Sequence, residues 1–492
     1  MDETSGIGTM LKVMAFPTKE SEDNPLIRIF QKPLLAAVLL FTTLSCWSFS
    51  APLNNGFDPT FHLASIWCGW GESQGKCENY GARDYGYGGN IPDQLRGLTT
   101  SEMSDQQIVD PHTRSLFYPI MRVFAGDNAT QSVLLMRLIQ SFIASIIFGS
   151  LIHFSSRKMK TAVLSAWTFT MIPIIISTLP QTTPRSWAYL SGMSSWAYLM
   201  LALDRHKEKQ NSKILWILYG FSLFLAFASR WDATLFVAFT TAVVLSIHFI
   251  KNNLMKPITL VWFLVSGMVS MGLLRIIFPR LATYTSFDFG STFTSGKTIF
   301  QLIHIPENIA DGLGLGVRLA DLGPNLIGII GVVLFTFMLS RSLDSANKFQ
   351  IFSVVSIAIF MFMAMFQITL SWTEQIGPSG VYVVQLLTVI LGLSVALAND
   401  AQMYLYRKSN QAIFISLLGI SHALALFSRM EWAVRPSSEL NDTYFNLSLN
   451  GGWWWNSPIG PNVVFLIGAI TFPAWLIVSW NSVSKELAEV SS

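Results

Sequence analysis

Charge is what this chain has least of: 12% of its residues are Asp, Glu, Lys or Arg, against 51% hydrophobic. That supply cannot coat a soluble globule, so a water-soluble fold is excluded. The net charge is only +3, and the basic residues are dispersed, which excludes a basic face for nucleic acid. Three cysteines are too few for a disulfide scaffold. There is no Asp-x-Asp pair and no His/Cys/Asp/Glu grouping with metal-ligand spacing, so no metal site is assigned, and a divalent-ion requirement stays undetermined. No motif recurs between the two halves, which argues against a carrier built from repeats. The strand-like alternation of a membrane barrel is missing as well. The first apolar run lacks a small-residue cleavage site and is read as a retained span.

Long apolar runs are what remains. About twelve are long enough to read as membrane helices: Pro33–Leu53, Gln131–His153, Thr161–Leu179, Ser186–Leu203, Ile214–Ala228, Ala233–Ile250, Ile258–Phe278, Leu326–Leu339, Phe349–Leu370, Val381–Ala398, Ala412–Phe427 and Asn462–Trp480. Without water to satisfy backbone amides, such runs must be helical. The expected fold is all-α, a polytopic integral membrane protein with long extracytoplasmic loops.

Lys and Arg fall in alternate connections: Arg157 to Lys160, Arg205 to Lys209, Lys251 with Lys256, Arg341 with Lys348, and Arg407 with Lys408. By the positive-inside bias these connections, and both termini, face the cytoplasm of a plasma membrane. The organisation expected is a cytoplasmic segment 1–32, one membrane domain 33–481 and a cytoplasmic tail 482–492. Outer loops at 54–127, 279–325 and 429–461 are long enough to carry function.

The first of these loops opens with Asp58-Pro59-Thr60-Phe61-His62. Asp58 and His62 are four apart and share a face if the segment is helical, an arrangement suited to a general base and its helper. The plainer alternative is that Asp58 caps a helix begun by Pro59 and His62 sits at the interface. Arg137, Arg185, Arg230 and Arg280 stand at or near outer span ends, against the positive-inside bias. A guanidinium at that depth must be paired or used, and its fork suits a lipid-linked phosphate. Pairing of Arg230 with Asp232, and snorkelling of Arg137, are the competing accounts. Trp453-Trp454-Trp455 offers flat faces for a sugar acceptor, or an aromatic belt. Cys68 and Cys77 are close enough in sequence to bridge in an oxidising compartment, while Cys46 lies in the first span and is expected to be inert.

The run Asp58-Pro59-Thr60-Phe61-His62-Leu63-Ala64-Ser65-Ile66-Trp67-Cys68-Gly69, with Cys77-Glu78 after it, resembles actinobacterial members of a family of uncharacterised bacterial polytopic proteins (DUF2142-like). Their usual pattern here is Pro-Asp-Glu-x-x-His. Thr183-Pro184-Arg185-Ser186-Trp187 is similar to the family's Asn-Pro-x-x-Trp turn, and Arg230-Trp231-Asp232-Ala233 to its Arg-x-Asp-Ala element. Pro59 stands for the family's Glu, and Val381 stands where an Arg is usual. The family is similar to the GT-C glycosyltransferases. The resemblance implies transfer of a sugar from a polyprenyl-phosphate donor to an envelope glycan or glycolipid acceptor, with Asp58 as the catalytic carboxylate of the first outer loop, taking the acceptor's proton. A multi-span transporter, or a non-catalytic envelope-assembly protein, is the alternative.

Overall fold

The computed structural model describes residues 33–50, 62–63, 66–67, 115–252, 324–344, 346–371, 384–398, 408–434, 447 and 459–491. Among the described residues there are helices and no strands. In chain order they are α1 (Pro33–Phe49), α2 (Phe117–Arg122), α3 (Ala129–Phe154), α4 (Arg157–Thr170), α5 (Pro173–Thr178), α6 (Pro184–Lys207), α7 (Lys213–Ser229), α8 (Trp231–Lys251), α9 (Pro324–Leu343), α10 (Lys348–Ser371), α11 (Val384–Ala396), α12 (Lys408–Val434) and α13 (Pro461–Ser491). Each expected span except Ile258–Phe278, which lies outside the described residues, falls on one or more of these helices.

Among the described residues, four stretches are by length and hydropathy able to cross a membrane: Ala129–Phe154, Asp232–Lys251, Gln411–Glu431 and Pro461–Val483. Shorter apolar helices include Pro33–Phe49, Lys213–Ser229 and Val384–Ala396. Two details differ from expectation. The run Thr161–Leu179 is interrupted: α4 stops at Thr170, and Pro173 starts α5 after Met171 and Ile172. Proline supplies no N–H to continue α4, and it disfavours helical backbone at Ile172. In addition α12 runs to Val434, into the segment expected to be loop, and α13 continues to Ser491.

Helix α6 is the centre of the bundle. From Pro184 to Leu199 every residue is buried, and its neighbours are α7, α8, α11, α3 and α4. Its Ser, Trp and Tyr content is therefore a protein-facing composition. Hydroxyls tie it to its neighbours: Ser194 Oγ lies 2.8 Å from Ser222 Oγ, and Tyr198 Oη lies 2.5 Å from Ser150 Oγ. In a lipid-excluded interior each such bond adds on the order of 0.6 kcal/mol. The helix ends in a Schellman turn, with Gln210 N–H on Arg205 O and Lys209 N–H on His206 O, and Lys209 takes φ 56°.

Helix α11 is likewise buried along its whole length. It lies parallel to α6, since Gly192 meets Gln385 and, further along both chains, Gly392 meets Trp196. This direction puts the C-terminal ends of α6 and α11 at one end of the bundle. There Gln350 Nε2 donates to Ser342 O and Ser394 O, joining α9, α10 and α11. Arg205 Nη2 donates to Phe154 O at the same end. The basic stretches beginning at Arg157, Arg205, Arg341 and Lys348 thus gather at one end, while His62, Thr183 and Arg230 mark the other.

A Cβ at Gly392 would sit 2.2 Å from the Trp196 ring, whereas nothing lies within 4 Å of one at Gly220. Gly392→Val is expected to cost about 1–3 kcal/mol by overpacking. Gly220→Ala should be neutral, or stabilising by up to ~1 kcal/mol through helix propensity. Thermal unfolding of the purified protein in detergent checks both, and equal midpoints for the two variants would refute the close packing of α6 on α11.

Candidate functional site at the N-terminal end of helix α6

Thr183, Pro184 and Arg185 form a compact helix start. Thr183 is extended (φ −133°, ψ 144°), and its Oγ1 accepts the Arg185 backbone N–H at 3.3 Å. Proline follows at N1, where its missing N–H is harmless. Ser186 N–H bonds Thr183 O at 3.1 Å. The first turn is locked against α2 and α3, because Trp187 Nε1 donates to Gln140 Oε1 at 2.6 Å and its ring meets Phe117 edge-on at 5.0 Å.

Against this start lie residues 62–63 and 66–67 of the first long loop. Leu63 and Ile66 are buried in the main core, and Trp67 Nε1 donates to Gly126 O at 3.3 Å. Arg122 Nε reaches Ile66 O at 2.7 Å. Residues 62–63 and 66–67 are therefore seated on the bundle, with Leu63 and Ile66 as apolar anchors. His62 has both ring nitrogens engaged: Nδ1 lies 2.8 Å from Tyr118 Oη, and Nε2 lies 3.1 Å from Thr183 Oγ1. The ring also stacks on Tyr118, with centroids 5.9 Å apart. Desolvation, then the nearby charges of Arg185 and Arg230, drive its pKa down to about 3. His62 is thus a neutral imidazole, donating through one nitrogen and accepting through the other.

Two guanidinium groups act electrostatically on that imidazole. Arg185 is buried in the first turn of α6. Arg230 occupies the break between α7 and α8, and its Nε donates to Asp232 Oδ1 at 3.0 Å. The pairing weighed from the sequence is present. Asp232 also accepts the Ala233 N–H at 2.9 Å, in the first turn of α8. Arg137 is 3% exposed, and its Nη1 donates to Ser48 O at 3.1 Å. It does not snorkel. A guanidinium on one of the last carbonyls of α1 suits the negative end of that helix.

Asp58, Arg280, Cys68, Cys77 and Trp453 to Trp455 lie outside the described residues. Cys46 is a free, buried thiol, as expected. Among the described residues no group of three or more His, Cys, Asp or Glu is placed to hold a metal ion. The structure brings Arg185 and Arg230 to His62 and ties Arg137 to α1. Tyr118 and Gln140 have no place in the sequence reading, and Thr183 enters it only within the family-like turn. Thr183 carried a signal, a Thr directly before a Pro at a helix start. Tyr118 carried none, since its contact with His62 spans a long stretch of sequence.

A family described as a predicted membrane protein (DUF2142) matches residues 40–289. That stretch is more than half of the chain and contains the whole of the site just described. The chain belongs to the DUF2142 family. No curated protein and no solved structure matches it. The DUF2142 match runs from α1 beyond α8 and so covers the first loop, the α6 start and the Arg230–Asp232 turn.

Because the folded His62 resists protonation while an unfolded one titrates near 6.5, the unfolded state binds the extra proton first as pH falls. Stability contributed here is complete above pH 6.5 and is lost progressively from there towards about 3. Thermal midpoints between pH 7.5 and about 5 should therefore decline in the wild type and decline less in His62→Gln; identical slopes would show that His62 is not held neutral.

Proposed function

We propose that this DUF2142 protein is a membrane glycosyltransferase of GT-C type, moving a sugar from a polyprenyl-phosphate donor to an envelope glycan or glycolipid acceptor. The observation that carries the reading is a neutral imidazole bonded to Thr183 at the start of the buried helix α6, within electrostatic reach of Arg185 and Arg230. Positive charge without a protonated histidine, at the positive end of a helix dipole, favours a phosphate group. The site also lies at the end of the bundle away from the basic stretches, which by the positive-inside bias is the outer face of a bacterial plasma membrane with both termini cytoplasmic.

In this reading an acceptor hydroxyl attacks the anomeric carbon and loses its proton to Asp58. The glycosidic C–O bond to the phosphate breaks, and the polyprenyl phosphate departs with the bonding electrons, inverting the anomeric centre. Arg185 and Arg230, with Arg280 as a further candidate, neutralise the departing phosphate. Arg137 supports the site by holding the end of α1. Trp453, Trp454 and Trp455 are proposed as the acceptor platform, and a Cys68–Cys77 bridge as a brace of the first loop.

One observation favours a second reading. The interrupted α4–α5 span, with Met171 and Ile172 buried between two helices, is the kind of discontinuous helix found in transporters. Proteoliposomes charged with radiolabelled polyprenyl-phosphate sugar and an envelope extract separate the two. Transfer of label should fall about 100-fold or more in Asp58→Asn, and a similar ~100-fold in Arg185→Ala. Full transfer by Asp58→Asn would refute the mechanism, and label that crosses the bilayer without changing chemically would establish transport instead.

A further inference from the structure

His62 reaches Arg185 by a chain of hydrogen bonds. Tyr118 Oη and His62 Nδ1 are 2.8 Å apart, His62 Nε2 and Thr183 Oγ1 are 3.1 Å apart, and Thr183 Oγ1 accepts the Arg185 N–H at 3.3 Å. The middle member is the sensitive one. Pro184 has no N–H, so the Arg185 amide is the first donor the helix possesses, and Ser186 N–H is already on Thr183 O. The Thr183 hydroxyl is shared between that amide and the imidazole. A threonine side chain has staggered χ1 wells and holds this one while both partners are present.

We propose that His62 is a positioning residue for Arg185, acting through the Thr183 hydroxyl, and is not the proton-handling helper of Asp58. Tyr118 fixes the far side of the ring and so completes the device. Two further observations agree. A helper would exchange its proton near neutral pH, whereas this ring stays neutral between two hydroxyls and beside two guanidinium groups. The apolar anchors Leu63 and Ile66, one and four residues on, are fully buried, so the seating of these residues on the bundle is transmitted through His62 to the helix that carries Arg185. Displacing a charged ligand by about 1 Å costs on the order of 100-fold in rate, so a positioning bond of this kind has leverage.

The inference rests on Arg185 being a phosphate contact, and its test separates the two claims. Binding of a short-chain polyprenyl monophosphate to the full-length protein in nanodiscs is measured by calorimetry for His62→Ala, Thr183→Val, the double variant and Thr183→Ser. Each of the first two should weaken binding about tenfold and the double variant by no more than either alone, because both cut one chain. Thr183→Ser keeps the hydroxyl and should stay within about twofold of the wild type. Losses that multiply in the double variant, or a His62→Ala protein that binds normally, would overturn the proposal. If the wild type binds no polyprenyl phosphate, the phosphate reading fails. The positioning claim is then decided by the rate at which phenylglyoxal modifies Arg185, followed by mass spectrometry. Equal acceleration in both single variants, with none added in the double, supports it; an unchanged rate overturns it.

Discussion

Helix α6 has protein on every side through most of its length, and that constraint organises the bundle around it. A helix with no lipid-facing side can carry serines, tyrosines and tryptophans, provided its neighbours answer them. They do: Ser222 on α7, Ser150 and Gln140 on α3. The same enclosure forces close approach where side chains are absent, at Gly192 and, on α11, at Gly392. Because α6 cannot slide against so many partners, its N-terminal residue positions are fixed as well. Arg185 inherits a defined place from packing that happens far below it.

The charges at that end divide by what they are tied to. Arg137 closes a carbonyl of α1 and Arg122 a carbonyl of the first loop; both hold backbone segments in place. Arg230 shares Asp232 with an amide of α8. Arg185 stands on the helix start itself, beside the imidazole. Its backbone N–H is held by the Thr183 hydroxyl, which also meets the imidazole. An anion arriving there meets fixed positive charge with a neutral histidine, which leaves the guanidinium groups as the source of attraction.

Much of this was legible in the residues. The helical runs follow from hydropathy and from the need to satisfy backbone groups in lipid, and the gathering of basic stretches at one end follows from their alternate spacing. The break at Met171–Ile172 was hidden because apolar residues continue across it; only Pro173 marked it. Arg230 and Asp232 are near in sequence, so their pairing was readable. The bond of Arg137 to the Ser48 carbonyl was not readable, because that carbonyl belongs to another helix and has no side-chain signature. The bonds of His62 to Tyr118 and Thr183 were out of reach for the same reason: sequence spacing predicts neighbours on one helix and says nothing of which helix end a loop is seated against.

The most direct test of the account is an experimental structure of the protein in nanodiscs with a short-chain polyprenyl monophosphate bound. The account predicts the phosphate within about 2.7–3.2 Å of the Arg185 guanidinium nitrogens, with Arg230 facing the same group. A phosphate bound at the opposite, lysine-rich end, or an Arg185 whose guanidinium is wholly enclosed by protein with the phosphate elsewhere, would contradict it.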